Sequence, residues 1–215
     1  MGYILNNECA NKLTFIRILA IPFLIIAMLV NYVSNDLVYI ATGKYIALFI
    51  FILASLTDLF DGIIARREKK TTNFGKLMDP VADKLLVTSA LIVFVGMGLF
   101  PSWMLVIIIS REFIITGLRN LAATKGVIIS AGLLGKHKTA SQITAIIITL
   151  IALCIKDTMI VFNSWENVLW HAKPLDIWMH YLLTWIMGVV VIFSVISGVG
   201  YVIEHKDLIR EAAHQ

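Results

Sequence analysis

Apolar runs about twenty residues long, separated by short polar stretches, recur along the whole of this 215-residue chain. A helix rises 1.5 Å per residue, so each run is long enough to cross a hydrocarbon core of roughly 30 Å. Six such runs are read, at residues 13–33, 45–65, 81–100, 102–122, 138–156 and 178–203. The pattern predicts an all-α integral membrane protein, a six-transmembrane-helix bundle with short loops that uses residues 1–215 as one domain. Residues 1–12 are expected to form a short interfacial segment, 157–176 an exterior loop lying partly on the membrane, and 204–215 a short tail. The first run is too long for the apolar part of a typical signal peptide and has no clear small-residue cleavage site, so a retained span is expected.

Composition agrees: 59% of residues are hydrophobic and only 15% are charged, unlike a soluble domain. The formal net charge of +4 raises the question of nucleic acid, yet the basic residues are distributed by loop and not along one soluble face, so no nucleic-acid partner is expected. Arg66, Arg67, Lys69, Lys70 and Lys76 lie between runs two and three, and Arg119, Lys125, Lys136 and Lys138 at or between the ends of runs four and five. Lys206 and Arg210 follow the last run, whereas the alternate loops are assigned only Lys44, Lys156 and Lys173. The positive-inside rule therefore puts both termini and the two basic loops in the cytoplasm. Cys9 and Cys154 are the only cysteines, which gives neither a disulfide framework nor a thiolate metal site.

Four aspartates stand out against this background. Placing one carboxylate at the centre of a bilayer costs roughly 3 kcal/mol, so a group of them calls for cations or strong partners. Asp58 and Asp61 are three apart at the end of the second run, and Asp79 and Asp83 four apart at the start of the third, so each pair shares a helix face. If the faces of these consecutive helices oppose each other, the carboxylates converge at the cytoplasmic side. Oxygen-only ligands favour hard divalent ions, Mg²⁺ or Mn²⁺, and four ligands suffice for two ions. Gly62 would let a ligand approach the helix backbone, and Arg66, about one turn further on, suits a phosphate. Pro80 is expected in the first turn of its helix, where a missing N–H costs nothing. The plain alternative is that each aspartate caps a helix or pairs with a neighbouring lysine or arginine.

The full pattern D-x-x-D-G-x-x-A-R-x8-G-x3-D-x3-D, met at Asp58, Asp61, Gly62, Ala65, Arg66, Gly75, Asp79 and Asp83, resembles the signature of the CDP-alcohol phosphotransferases. The resemblance implies a six-span enzyme that moves a phosphoalcohol group from a CDP-linked lipid to an acceptor hydroxyl and releases CMP. It implies that Asp58, Asp61 and Asp79 hold two divalent ions, with Asp83 both near a metal and placed as the general base. Gly62, Arg66 and Gly75 would belong to the CDP site along with Asp58. Near the N-terminus, Asn11, Leu13, Thr14 and Arg17 resemble an N-x-L-T-x-x-R element that would lie near the nucleotide, with Ala10 where a proline often precedes it. A multi-pass protein of the plasma (inner) membrane, surrounded by membrane lipids, is expected.

The fourth run carries SREFIITGLR, with Arg111, Glu112 and Arg119 in or beside a membrane helix, and GKHKTASQ follows with Lys136, Lys138, Thr139 and Gln142. Arg111 and Arg119 are eight apart and share a face. The four basic groups are read either as an anion pocket or as snorkelling and topology-setting charges. R-E-x-I-I-x-x-L-R followed by G-K-x-K-T-x-x-Q resembles the branch of the family whose acceptor is sn-glycerol 3-phosphate. That resemblance implies that Arg111, Arg119, Lys136 and Lys138 bind the acceptor's dianionic phosphate and that the lipid donor is CDP-diacylglycerol.

Rival readings are a family member with another acceptor (cardiolipin synthesis, serine or inositol phosphate), an intramembrane prenyltransferase, and a divalent-cation transporter using the aspartates in transit. A transport site is expected near the bilayer midplane, not at cytoplasmic helix ends. His137, His171, His180, His205 and His214 are scattered and form no metal motif. The tryptophans lie mostly near run ends, as interfacial anchors do. Gly188, Gly198 and Gly200 with Ser194 and Ser197 predict close helix packing in the last run, with a homodimer as one outcome.

Overall fold

The computed structural model describes residues 2–68, 73–124, 133–162 and 169–206; the side chains of 2–14, 31, 58–68, 73–80, 83, 123–124, 133–134, 136 and 169–176 fall outside that description. Among the described residues six α-helices follow one another: α1 (Gly2–Met28), α2 (Leu37–Glu68), α3 (Asn73–Gly96), α4 (Ser102–Thr124), α5 (Leu133–Val161) and α6 (Leu169–Glu204). A single 3₁₀ turn, Val30–Tyr32, separates α1 from α2, and there is no strand among the described residues. The all-helical expectation is met.

Local chemistry sets two of the turns. Asp36 caps α2, its Oδ1 accepting from the Val38 N–H at 2.9 Å. At the end of α3, Gly98 adopts a φ of 73°, and the N–H groups of Gly98 and Leu99 bond back to Val95 and Phe94. Glycine takes this left-handed conformation without a Cβ penalty, so the chain reverses quickly into α4.

Leu24, Met28, Phe51, Phe94, Ile146, Leu150 and Met187 are buried in a core to which all six helices contribute. α1 packs on α2 and α3, α2 also on α5, and α6 on both α4 and α5. Gly43 permits the tightest approach: a Cβ there would stand 2.7 Å from the Ala27 carbonyl oxygen of α1. Small residues at such crossings let helix backbones close in where lipid supplies no hydrophobic drive for association. The helices α4 and α6 run in the same direction, because Leu99 meets Thr184, Arg111 meets Ser197 and Arg119 meets Tyr201 in ascending order on both.

The exterior is apolar, with Phe15, Phe23, Phe49, Trp178, Trp185 and Ile192 all exposed. Among the described residues three helical segments can cross a membrane by length and composition, Leu37–Thr57, His137–Val161 and Ile177–Glu204, while Phe15–Met28 and Lys84–Gly96 are shorter apolar stretches. Helices with apolar outer surfaces, their backbone bonds satisfied internally, are what a lipid solvent selects, and this is a membrane protein.

Several boundaries differ from those expected from hydropathy. Residues 2–12 are helical and continuous with α1, which stops at Met28 instead of 33. α5 runs to Val161 and α6 starts at Leu169, so much of the expected 157–176 loop is helical. The backbone stays helical beyond the apolar window because polar residues tolerate helix at a span's ends; hydropathy marks the lipid-facing part only. Pro80 sits two turns inside α3, which begins at Asn73, so it costs one i→i−4 bond and is not a first-turn residue. Lys44 and Lys156 lie within α2 and α5, not in loops. Lys44 is 3% exposed, its ammonium donating to the Met28 carbonyl at the end of α1. That carbonyl is one of the four a helix end leaves without an internal partner, which makes it a ready seat for a buried cation.

Candidate active site

The helices carrying the aspartate motif are in place. Asp58 and Asp61 lie on α2 with Gly62 and Arg66, and Asp79 and Asp83 on α3 with Gly75. Their side chains, like those of Asn11 and Thr14 on α1 and Lys136 on α5, lie outside the described residues. Arg17 is described, and it is 2% exposed, taken into the bundle from α1.

The second part of the expected site is visible in detail. Arg111, near the middle of α4, points at α6: its Nη2 donates to Ser197 Oγ at 2.6 Å and its Nη1 to Glu112 Oε1 at 3.0 Å. Gly198 makes room for it, since a Cβ there would stand 2.9 Å from Arg111 Cγ. The small residue expected to serve helix packing thus seats an arginine of the same chain. From α5, Lys138 donates to the same Glu112 oxygen and is 3% exposed. One carboxylate therefore joins two cations from two helices. A buried ion must be compensated in this way, because desolvating it costs several kcal/mol.

Two turns beyond Arg111, Arg119 lies over the ring of Tyr201, 5.5 Å from its centroid, and its Nε donates to the Tyr201 hydroxyl at 3.3 Å. Tyr201 stacks in turn on His205, with ring centroids 4.5 Å apart. Arg119 thus holds an aromatic partner on α6 while Arg111 holds a hydroxyl there. The structure brings Arg111 and Lys138 together through Glu112; Arg119 is engaged one step further along α4.

Sequence reasoning missed Lys84 and Thr116, and named Gln142 without giving it a role. Lys84, next to Asp83 on α3, donates to Thr116 Oγ1, and Thr116 donates to the Glu112 carbonyl at 2.7 Å. This ties the helix of Asp83 to the cationic turn of α4. Gln142 lies one turn beyond Lys138, 3% exposed, with Nε2 unpartnered among the described residues; Arg111 Nε is likewise buried and unpartnered. Buried donors of this kind are expensive unless something accepts from them, and they give this part of the bundle a capacity for an oxygen-rich guest. The lysine beside Asp83 and the glutamine at i+4 from Lys138 were the available signals for these positions.

A membrane helix bundle with an aspartate motif on α2 and α3, beside linked cations on α4 and α5, has counterparts among known proteins. A family profile described as CDP-alcohol phosphatidyltransferase matches residues 7–196, and the chain belongs to that family. The family generally uses divalent metal ions. The chain is 36% identical over 206 residues to the CDP-diacylglycerol--glycerol-3-phosphate 3-phosphatidyltransferase of Bacillus subtilis (strain 168), covering 93% of this chain and 96% of that one. The proteins of the same name from Rickettsia felis and Rickettsia prowazekii are 34% and 35% identical, each over 80% of this chain and 91% of theirs.

Proposed function

We propose that this protein transfers the phosphatidyl group of CDP-diacylglycerol to the primary hydroxyl of sn-glycerol 3-phosphate, giving phosphatidylglycerol phosphate and CMP. The reading rests above all on one coincidence: the unbroken aspartate motif on α2 and α3 stands in the same chain as paired cations from α4 and α5. Whole-length relatives that bear the name of this reaction support it.

In this reading the chain is a single domain, a six-span, multi-pass protein of the plasma (inner) membrane. The distribution of basic residues assigns both termini and the active site to the cytoplasmic side. Asp58, Asp61, Asp79 and Asp83 are an all-carboxylate donor set, which suits two Mg²⁺ or Mn²⁺ ions; bound there, they would stabilise charge on the diphosphate and the departing CMP. Asn11, Thr14, Gly62, Arg66 and Gly75 are assigned with Asp58 to the CDP part of the donor, whose acyl chains stay in lipid. Arg111, Arg119, Lys136 and Lys138 are assigned to the acceptor's phosphate. Asp83 takes the proton from the acceptor's primary hydroxyl as that oxygen attacks the phosphorus nearest the lipid. The new P–O bond forms as the bond to CMP breaks, and CMP leaves with the electron pair. Two copies are proposed to pair through α6, whose Trp178, Trp185 and Ile192 are exposed.

The experiment is CMP release by the purified protein in detergent with CDP-diacylglycerol and Mg²⁺ or Mn²⁺, with and without glycerol 3-phosphate. Release should require glycerol 3-phosphate and fall by about a thousandfold in Asp83→Asn, the scale of a lost general base. Release with serine or phosphatidylglycerol, and none with glycerol 3-phosphate, would overturn the acceptor assignment.

A further inference from the structure

Glu112 has no place in the scheme above, yet it is the residue on which the described cations meet. Its Oε1 accepts from Arg111 Nη1 and from Lys138 Nζ. A carboxylate oxygen bridging a guanidinium and an ammonium offers them what a phosphate oxygen would: a compact negative acceptor. The exposures are graded in a telling order. The Glu112 side chain is 22% exposed, Arg111 13% and Lys138 3%, so Glu112 is the most exposed of the three.

Arg111 also has anchors that do not depend on Glu112. Ser197 Oγ accepts from Nη2, and the absent Cβ of Gly198 lets the aliphatic part of the side chain lie against α6. Its Nε remains a buried donor without a partner among the described residues. The arginine would thus keep its position if the carboxylate swung away, with donor capacity to spare.

We propose that Glu112 is an internal stand-in for the acceptor's phosphate: its carboxylate holds Arg111 and Lys138 together until a dianionic phosphate displaces it. This inference rests on the assignment of those two residues to the acceptor. It makes Glu112 a specificity-setting residue. A neutral alcohol cannot take two cations from a carboxylate, whereas a phosphate dianion with three oxygens can. Binding is weakened by the fraction of molecules in which the cations are tied to Glu112, since only the remainder is competent.

The test is Glu112→Gln, which keeps the shape and removes the charge. The KM for glycerol 3-phosphate should fall roughly fivefold, as expected if about four-fifths of the molecules are held by the carboxylate, while the KM for CDP-diacylglycerol stays the same. Added inorganic phosphate should raise the melting temperature of the variant more than that of the wild type, because it takes the place of the Glu112 carboxylate. A glycerol 3-phosphate KM that is unchanged or raised would overturn the proposal, since a carboxylate that merely orients the cations from behind gives that result. If Glu112→Gln does not accumulate folded, Glu112→Asp serves, its charge drawn back by one methylene, with a lowered KM supporting the proposal and a raised one overturning it. Should the wild type release CMP without needing glycerol 3-phosphate, the proposed function fails separately. The melting comparison with inorganic phosphate then decides on Glu112 alone, an equal shift in both proteins counting against it.

Discussion

Two buried charged groups sit about 28 Å apart along α5, judged from Lys138 and Asp157 at 1.5 Å per residue, and they are assembled differently. At the far group, the single ammonium of Lys44 donates to the carbonyl that ends α1, and Asp157 acts on it electrostatically from α5. Tyr45 and Thr158 close the same corner with a 2.8 Å hydroxyl contact. Here Asp157 lies in the field of two cations, Lys44 and Lys156, and Lys44 also meets a helix end. At the near group two cations, Arg111 and Lys138, share one carboxylate, while Arg119 leans on an aromatic ring close by. The far group joins three helices around a backbone carbonyl; the near group joins α4 and α5 through a side-chain carboxylate, and Arg111 reaches α6 through Ser197. Buried charge in a membrane protein marks a functional site by default, and the two groups differ in what holds the cation: a helix-end carbonyl at one, and at the other a carboxylate that the proposed acceptor phosphate would replace.

The contrast can be broken most strongly at Arg111. Arg111→Met removes two charge-assisted hydrogen bonds, and the KM for glycerol 3-phosphate should rise by roughly thirtyfold, about 2 kcal/mol, with the KM for CDP-diacylglycerol unchanged. Steady-state kinetics with each substrate varied in turn decides it; an equal rise for both would mean that the site as a whole had collapsed. Lys44→Met should act in the opposite way. It strips the end of α1 of its buried partner and should cost about 1–3 kcal/mol of stability, read as a lower melting temperature in detergent, while both KM values hold. A change in acceptor KM there would merge the two groups into one.

Smaller effects sharpen the same line. Gly198→Ala puts a methyl group against Arg111 Cγ, which must shift; the acceptor KM should rise a few-fold, with little change in melting. Gly188→Ala, ten residues earlier on α6 and with nothing within 4 Å of the added carbon, should leave both KM values where they are. If the two alanines behave alike, the seat of Arg111 on Gly198 is irrelevant to binding.

These distinctions were only partly legible in the sequence. The apolar runs predict helices because hydropathy reports the lipid-facing surface directly, and the aspartate motif is visible because carboxylates at regular helical spacing in an apolar chain are rare. Lys44 was the clearest error. Counting lysines by loop treats each as a surface charge, whereas the burial of Lys44 depends on a carbonyl sixteen residues earlier that only the folded chain brings near. Gly198 reads as a small residue for helix packing, and nothing local reveals that its neighbour is an arginine from α4. Glu112 reads as a charge in or beside a membrane helix, with no partner named; its bridging role needs α5 to be placed beside α4. What the sequence hides in each case is a contact between helices.

The seat of Arg111 on α6 has one more consequence. The apolar stretch of that helix, Ile177–Glu204, is 28 residues long. That makes it about 42 Å, against a hydrocarbon core of roughly 30 Å, and a helix this long accommodates by tilting. Ser197 and Gly198 ride on it, so a tilt of α6 relative to α4 would change the angle at which they meet Arg111. With Arg111 assigned to the acceptor as proposed, the thickness of the surrounding membrane would become a variable in how tightly that water-soluble molecule is held.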